Sequence, residues 1–175
     1  MKKIELFLNI IHYQWFRFEL RASRIIQYPL FFVMRPILES KKYKERAKRF
    51  YGIDDPEKEI KKVLRDPENS VSSIITGGAI GGLVYLYLWG IAILISAMLK
   101  TFLPKWAFVL AFVVALIINY FLIWKDDLYL KYFKEFNKKP KSWQRKWSWI
   151  TFFTAVGAIL FLIGCFTVHS KIIND

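Results

Sequence analysis

Charged positions are absent from three stretches of the chain, 71–99, 106–124 and 147–170, and crowd into the stretches between them. Within them, the runs Ile74–Leu99, Trp106–Trp124 and Trp147–His169 are apolar almost throughout. A helix rises about 1.5 Å per residue, so about 20 such residues cross the roughly 30 Å of bilayer hydrocarbon. The first run is the longest, about 39 Å if fully helical, and is expected to tilt. Read as buried core helices of a soluble protein, three such runs would leave almost no sequence to cover them. The pattern therefore predicts an all-α integral membrane protein with three transmembrane helices. The spans fall at about 74–99, 106–124 and 147–169 of a region covering 71–170, with an outer tail at 171–175.

Residues 1–70 show a different pattern, that of an interfacial and cytoplasmic helical region. Ile4, Phe7, Leu8, Ile11, Trp15, Phe18, Ala22, Ile25 and Ile26 recur at steps of three and four, which is one stripe of a helix. Lys2, Glu5, Asn9, His12, Arg17, Arg21 and Arg24 lie off it. Charges interrupt the stretch, so it is neither a cleavable signal peptide nor a span. It predicts an amphipathic helix over Met1–Tyr28, lying in the cytoplasmic interface with Trp15 inward and Arg17, Arg21 and Arg24 toward lipid phosphates. The alternative is a helix packed on a partner or on the chain's own spans. Pro29 and Pro36 are expected to break the chain around Leu30–Met34.

A highly charged helix follows over Ile37–Tyr51, with Gly52 as its C-terminal cap. Two Asp-Pro-Glu triplets, at 55–57 and 66–68, have the order that opens a helix: a capping Asp, Pro in the first turn, and Glu at the positive end. They predict one helix over Pro56–Arg65 and another starting at Pro67 and running into the first span. Capping accounts for these acids without a metal or acid–base site.

Composition sharpens the picture. The 175 residues are 55% hydrophobic and 18% aromatic, yet carry 27 Lys and Arg against 14 Asp and Glu, a net +13. A disordered basic tail is excluded by that hydrophobicity. Of the basic residues, 16 lie in 1–70 and eight in 125–146, whereas the 100–105 turn has two and the tail one. Lys and Arg favour the cytoplasmic side, so the N-terminus and 125–146 are expected inside and the C-terminus outside a bacterial inner membrane. Trp106, Trp124, Trp143, Trp147 and Trp149 fall near the expected interfaces. Topology absorbs the basic excess, leaving anionic lipid head groups rather than nucleic acid as the expected partner. The single cysteine excludes an intrachain disulfide and a cysteine-based zinc site.

Gly77, Gly78, Gly81 and Gly82 form two interlaced small-xxx-small pairs in the first span, spacing that lets helices approach closely. They are the candidate packing or oligomer interface. Ala155, Gly157, Ala158 and Gly164 make a looser version in the third span, and the second span, without glycine, suits an outer position. Tyr129, Tyr132, Phe133 and Phe136 form a helical stripe that continues the second helix toward Pro140. With Trp15, Trp143 and Trp147 they are candidates for contact with lipid or a partner. The N-terminal helix is another possible cover, and core packing is the commoner fate of such stripes.

The spans carry no acid, base or histidine away from their ends, and His12 and His169 are expected at opposite faces. No phosphate loop, nucleophile elbow or metal-binding histidine pair is present. The expectation is a non-enzymatic membrane subunit or anchor without cofactor or metal, self-associating or joined to a membrane complex, that holds lipid or docks a cytoplasmic protein. A homo-oligomeric pore that depolarises cells, as in phage defence or toxin action, is the main alternative. An immunity-type protein that binds a membrane toxin is the third.

Overall fold

The computed structural model describes residues 2–67 and 71–174, apart from the side chains of 24–32, 61, 64, 65, 71, 173 and 174. The fold is 88% helical, with no strand among the described residues. Helices α1 (Lys2–Leu38), α2 (Lys41–Tyr51) and α3 (Pro56–Arg65) precede α4 (Val71–Met98). Helix α5 (Lys105–Asn119) passes through a π turn at Tyr120–Trp124 and a 3-10 turn at Lys125–Asp127 into α6 (Leu128–Phe136), and α7 (Lys141–Asn174) closes the chain. The chain divides into two compact units. Residues 16–75 form one; residues 2–15, together with the chain from Thr76 onward, form the other.

In the first of these units, local sequence signals set the helix ends. Ser40 Oγ accepts a hydrogen bond from the Tyr43 amide at 3.3 Å and opens α2. This places the start of α2 at Lys41 instead of the expected Ile37, because Ser40 offers the capping oxygen and α1 runs on to Leu38. Gly52 closes α2 at φ +66°, a left-handed conformation in which a β-carbon costs energy. Its N–H reaches the Lys48 carbonyl at 3.0 Å. Asp55 Oδ1 accepts from the Lys58 amide at 3.1 Å, and α3 spans Pro56–Arg65 as the capping triplet predicts.

One expected feature differs, and another falls outside the described residues. Helix α1 continues through Pro29 and Pro36 instead of breaking at Leu30–Met34. A proline forfeits one backbone hydrogen bond and crowds the carbonyl four residues back; that penalty is local and need not end a long helix. The helix start expected at the second triplet lies outside the described residues: Pro67 is in a turn, residues 68–70 are not described, and Val71 is already helical.

The larger unit is built around α4. Tyr85 and Trp89 meet α5 through Phe112 and Phe108, at ring separations of 5.8 and 5.4 Å. Tyr87 and Trp89 meet α7 through Phe161 and Phe166, both at 5.7 Å. The Tyr87 hydroxyl donates to the Thr154 carbonyl at 3.3 Å, and Ser96 Oγ lies 2.9 Å from His169 Nε2. A β-carbon on Gly90 would stand 2.5 Å from the Phe161 ring, so this glycine is what lets α7 approach.

Helix α4, the stretch 105–136 and α7 each contain a segment long and apolar enough to cross a membrane. Only 28% of that segment is buried in α4, and 17% in each of the other two. Val109, Leu110, Val113, Leu116 and Ile117 of α5 are exposed, as are Phe153, Leu160 and Ile163 of α7.

The second helix does not continue unbroken to Pro140. Asp126 and Asp127 adopt left-handed backbone, at φ 55° and 51°, so the chain turns and α6 leaves in a new direction. Aspartate tolerates this conformation better than most residues because its short side chain can bond locally.

Candidate functional site

A cluster of polar and aromatic side chains lies where the first turns of α1 meet the π turn, α6 and the start of α7. Residues 8–14 are buried on every side, including Asn9 and His12 at 0% exposure. A helix buried all round is a core helix, so this segment does not lie in an interface as its stripe suggests. Packing on the chain's own helices, the alternative arrangement, is the one observed.

Three polar side chains at successive steps of four fix α1 here. Glu5 Oε1 accepts from the Tyr132 hydroxyl at 2.9 Å, Asn9 Nδ2 donates to the Leu122 carbonyl at 2.8 Å, and the Tyr13 hydroxyl donates to Asn137 Oδ1 at 2.8 Å. Steps of four lie on one helix face. Leu122 sits in the π turn, just before the backbone leaves the helix, where carbonyls lose their usual donors. The Asn9 amide supplies one.

Aromatic rings fill the space between these anchors. The His12 ring lies 5.0 Å from Phe133, 5.6 Å from Tyr129 and 6.1 Å from Trp124. Tyr13 meets Phe133 and Phe136 edge-on at 5.3 and 5.6 Å. Trp143 packs on Phe136 at 5.3 Å, and Phe7 meets Trp147 at 6.1 Å. Edge-on and offset pairs of this kind add roughly 0.5–1.5 kcal/mol each beyond area burial.

Of the expected lipid or partner contacts, Tyr129, Phe133 and Phe136 are therefore inside the protein, covered by α1. Tyr132, Trp143 and Trp147 are half-buried at the edge of the same cluster, and Trp15 is half-buried at the end of the buried segment. Arg17 is half-buried and Arg21 exposed, both in the other unit. The Arg24 side chain lies outside the description. His12, expected at an interface, is a core residue because the aromatic stripe folds over it.

The four glycines at 77–82 of α4 divide into two faces. A β-carbon on Gly77 would collide with the Trp124 indole, and one on Gly81 would stand 3.1 Å from the Asn119 amide nitrogen. Asn119 Nδ2 donates to the Gly77 carbonyl at 3.1 Å. Gly77 and Gly81 thus serve packing within the chain. Gly78 and Gly82, one position on, are exposed, and a β-carbon on either would meet nothing within 4 Å.

No family model, curated protein or solved structure matches the chain. Among the described residues, no three His, Cys, Asp or Glu side chains gather as a metal site would require. Asn9 Oδ1 and Asn119 Oδ1 are buried acceptors without a hydrogen-bond partner among the described residues. The hydrogen bonds of Glu5, Asn9 and Tyr13 hold α1 against α6, its C-terminal end and the π turn.

The sequence pattern missed Glu5, Asn9, His12 and Tyr13 as packing residues, together with Asn119 and Gly90. The steps of four from Glu5 to Tyr13 were a usable signal.

Proposed function

We propose that this protein is a multi-pass protein of a bacterial inner membrane that serves, without catalysis, as one subunit of an assembly. In this reading α4, α5 with its π turn, and α7 cross the bilayer. The N-terminal helices and the 125–146 connection lie on the cytoplasmic side, where the basic residues concentrate. Exposed apolar side chains along α5 and α7 support it, since a surface of this kind is costly in water and favourable in lipid.

The observation that carries the assembly is the outward pair Gly78 and Gly82. Helix α4 already packs on α5 and α7, yet keeps a second small-residue face with open space before it. Close approach of another helix gains van der Waals contact there, the main attraction between helices in lipid. A second copy or another membrane subunit fits the face.

The test is the mass of the particle extracted into lipid nanodiscs. Wild-type protein is expected as a multimer or with a copurifying membrane partner. Gly78→Leu is expected to give single copies with unchanged helicity, because a β-carbon there meets nothing within 4 Å among the described residues. Gly77→Leu, by contrast, drives a side chain into Trp124 and is expected to abolish the fold. A wild-type particle of one copy without partner would sink the reading.

A further inference from the structure

Helix α2 carries six basic residues, Lys41, Lys42, Lys44, Arg46, Lys48 and Arg49, against one acid, Glu45. Lys48 pairs with Asp54 at 2.9 Å, and hydrogen bonding and charge from that carboxylate hold its ammonium above the usual lysine range. Lys41, Lys42, Arg46 and Arg49 are exposed and make no ion pair among the described residues.

The apolar side chains of α2 are equally placed. Tyr43, Ala47, Phe50 and Tyr51 follow the spacing i, i+4, i+7, i+8, which is one arc of a helix, with Lys44 at one edge and Arg46 at the other. Ala47 is buried and seats the helix, whereas Phe50 and Tyr51 project beyond that seat at 71% and 79% exposure. Exposed aromatics set between cations form the pattern of a helix that rests in the headgroup layer, rings inserted and cations toward lipid phosphates.

We infer that α2 is a docking element for anionic phospholipid head groups, with Phe50 and Tyr51 as its inserted anchors. The inference rests on the membrane reading above, because residues 52–70 alone connect α2 to α4. A tether that short keeps the basic helix at a high effective concentration near the bilayer its own spans occupy. Charge complementarity selects acidic over zwitterionic lipid. Nucleic acid shares the phosphate chemistry but has no comparable tether.

The experiment is hydrogen exchange of the full chain in nanodiscs of phosphatidylglycerol with phosphatidylcholine, compared with phosphatidylcholine alone. Each Lys or Arg near an anionic surface contributes about fivefold in affinity, so α2 amides are expected to exchange at least about tenfold more slowly in the acidic discs. Raising salt to about 1 M, where the screening length is about 3 Å, is expected to remove the difference. Phe50→Ser with Tyr51→Ser is expected to lose the slowing at low salt while α3 exchanges as in wild type. Equal exchange in the two lipids overturns the inference. So does slowing of α2 by a single-stranded oligonucleotide in phosphatidylcholine discs without slowing by phosphatidylglycerol. The mass of the same particles separates the two proposals. A single copy with α2 protected upholds this inference and defeats the assembly, and a multimer with α2 unprotected does the reverse.

Discussion

Helix α5 and the opening turns of α1 invert the usual relation between polarity and depth. Helix α5 has no charge between Trp106 and Asn119, yet Val109, Leu110, Val113 and Leu116 are exposed. The α1 segment 8–14 includes Asn9, His12 and Gln14 and is buried throughout. In water the greasier helix would be the inner one. In the membrane reading proposed above, lipid lies outside, apolar side chains gain nothing by burial, and polar groups that need partners are the ones that must go inside. The comparison teaches where to look for what holds α1: the Asn9 and Tyr13 hydrogen bonds and the aromatic packing at the α1–α6 junction.

The largest contrast should come from one substitution on each side. Phe133→Ala removes a ring that touches His12, Tyr13 and Tyr129, and large-to-small changes of this kind cost about 3–5 kcal/mol. It is expected to free the start of α1, seen as rapid hydrogen exchange over residues 5–13. Val113→Leu on exposed α5 is expected to leave both exchange and thermal stability unchanged. Equal losses from the two would erase the distinction between junction and outer helix.

An intermediate effect is expected from Asn9→Leu. The substitution keeps the bulk of the side chain but leaves the Leu122 carbonyl without the donor that Asn9 supplies, a cost of about 1–3 kcal/mol for a buried group. Thermal unfolding in lipid reads the loss. Stability equal to wild type would mean that the Asn9 bond does not anchor α1.

The smallest effect belongs to an exposed polar pair in the unit formed by residues 16–75. The Arg35 guanidinium hydrogen-bonds Glu39 at 2.8 Å and, through that bond and its charge, holds the carboxyl below its ordinary value. A depressed carboxyl contributes above its unfolded pKa, about 4.3, and the contribution disappears as pH falls through the lowered folded value. Both groups are exposed, so Glu39→Gln is expected to change stability at neutral pH very little and to remove only that acid-side dependence. A large loss at neutral pH would place exposed charge on a par with the buried junction.

Parts of this organisation are legible in the sequence. The three apolar runs, the Gly52 cap and the helix opened by Asp55-Pro56-Glu57 follow from local chemistry that needs no tertiary context. The burial of residues 8–14 of α1 is not, because a helical stripe shows which residues share a face but not which face meets protein. Assigning Glu5 and Asn9 to the outside assumes that water lies there. The turn at Asp126–Asp127 is hidden for another reason: the apolar spacing of Tyr129, Phe133 and Phe136 is unaffected by a change of direction just before it. The split of the glycines into an inner and an outer pair depended on where Trp124 and Asn119 point.

Photolabelling in native membranes with a lipid-dissolved diazirine tests the inverted burial most directly. Adducts are predicted on α5 at Val109, Leu110, Val113 and Leu116, and none on residues 8–14 of α1. Labelling of residues 8–14 with α5 spared would contradict it.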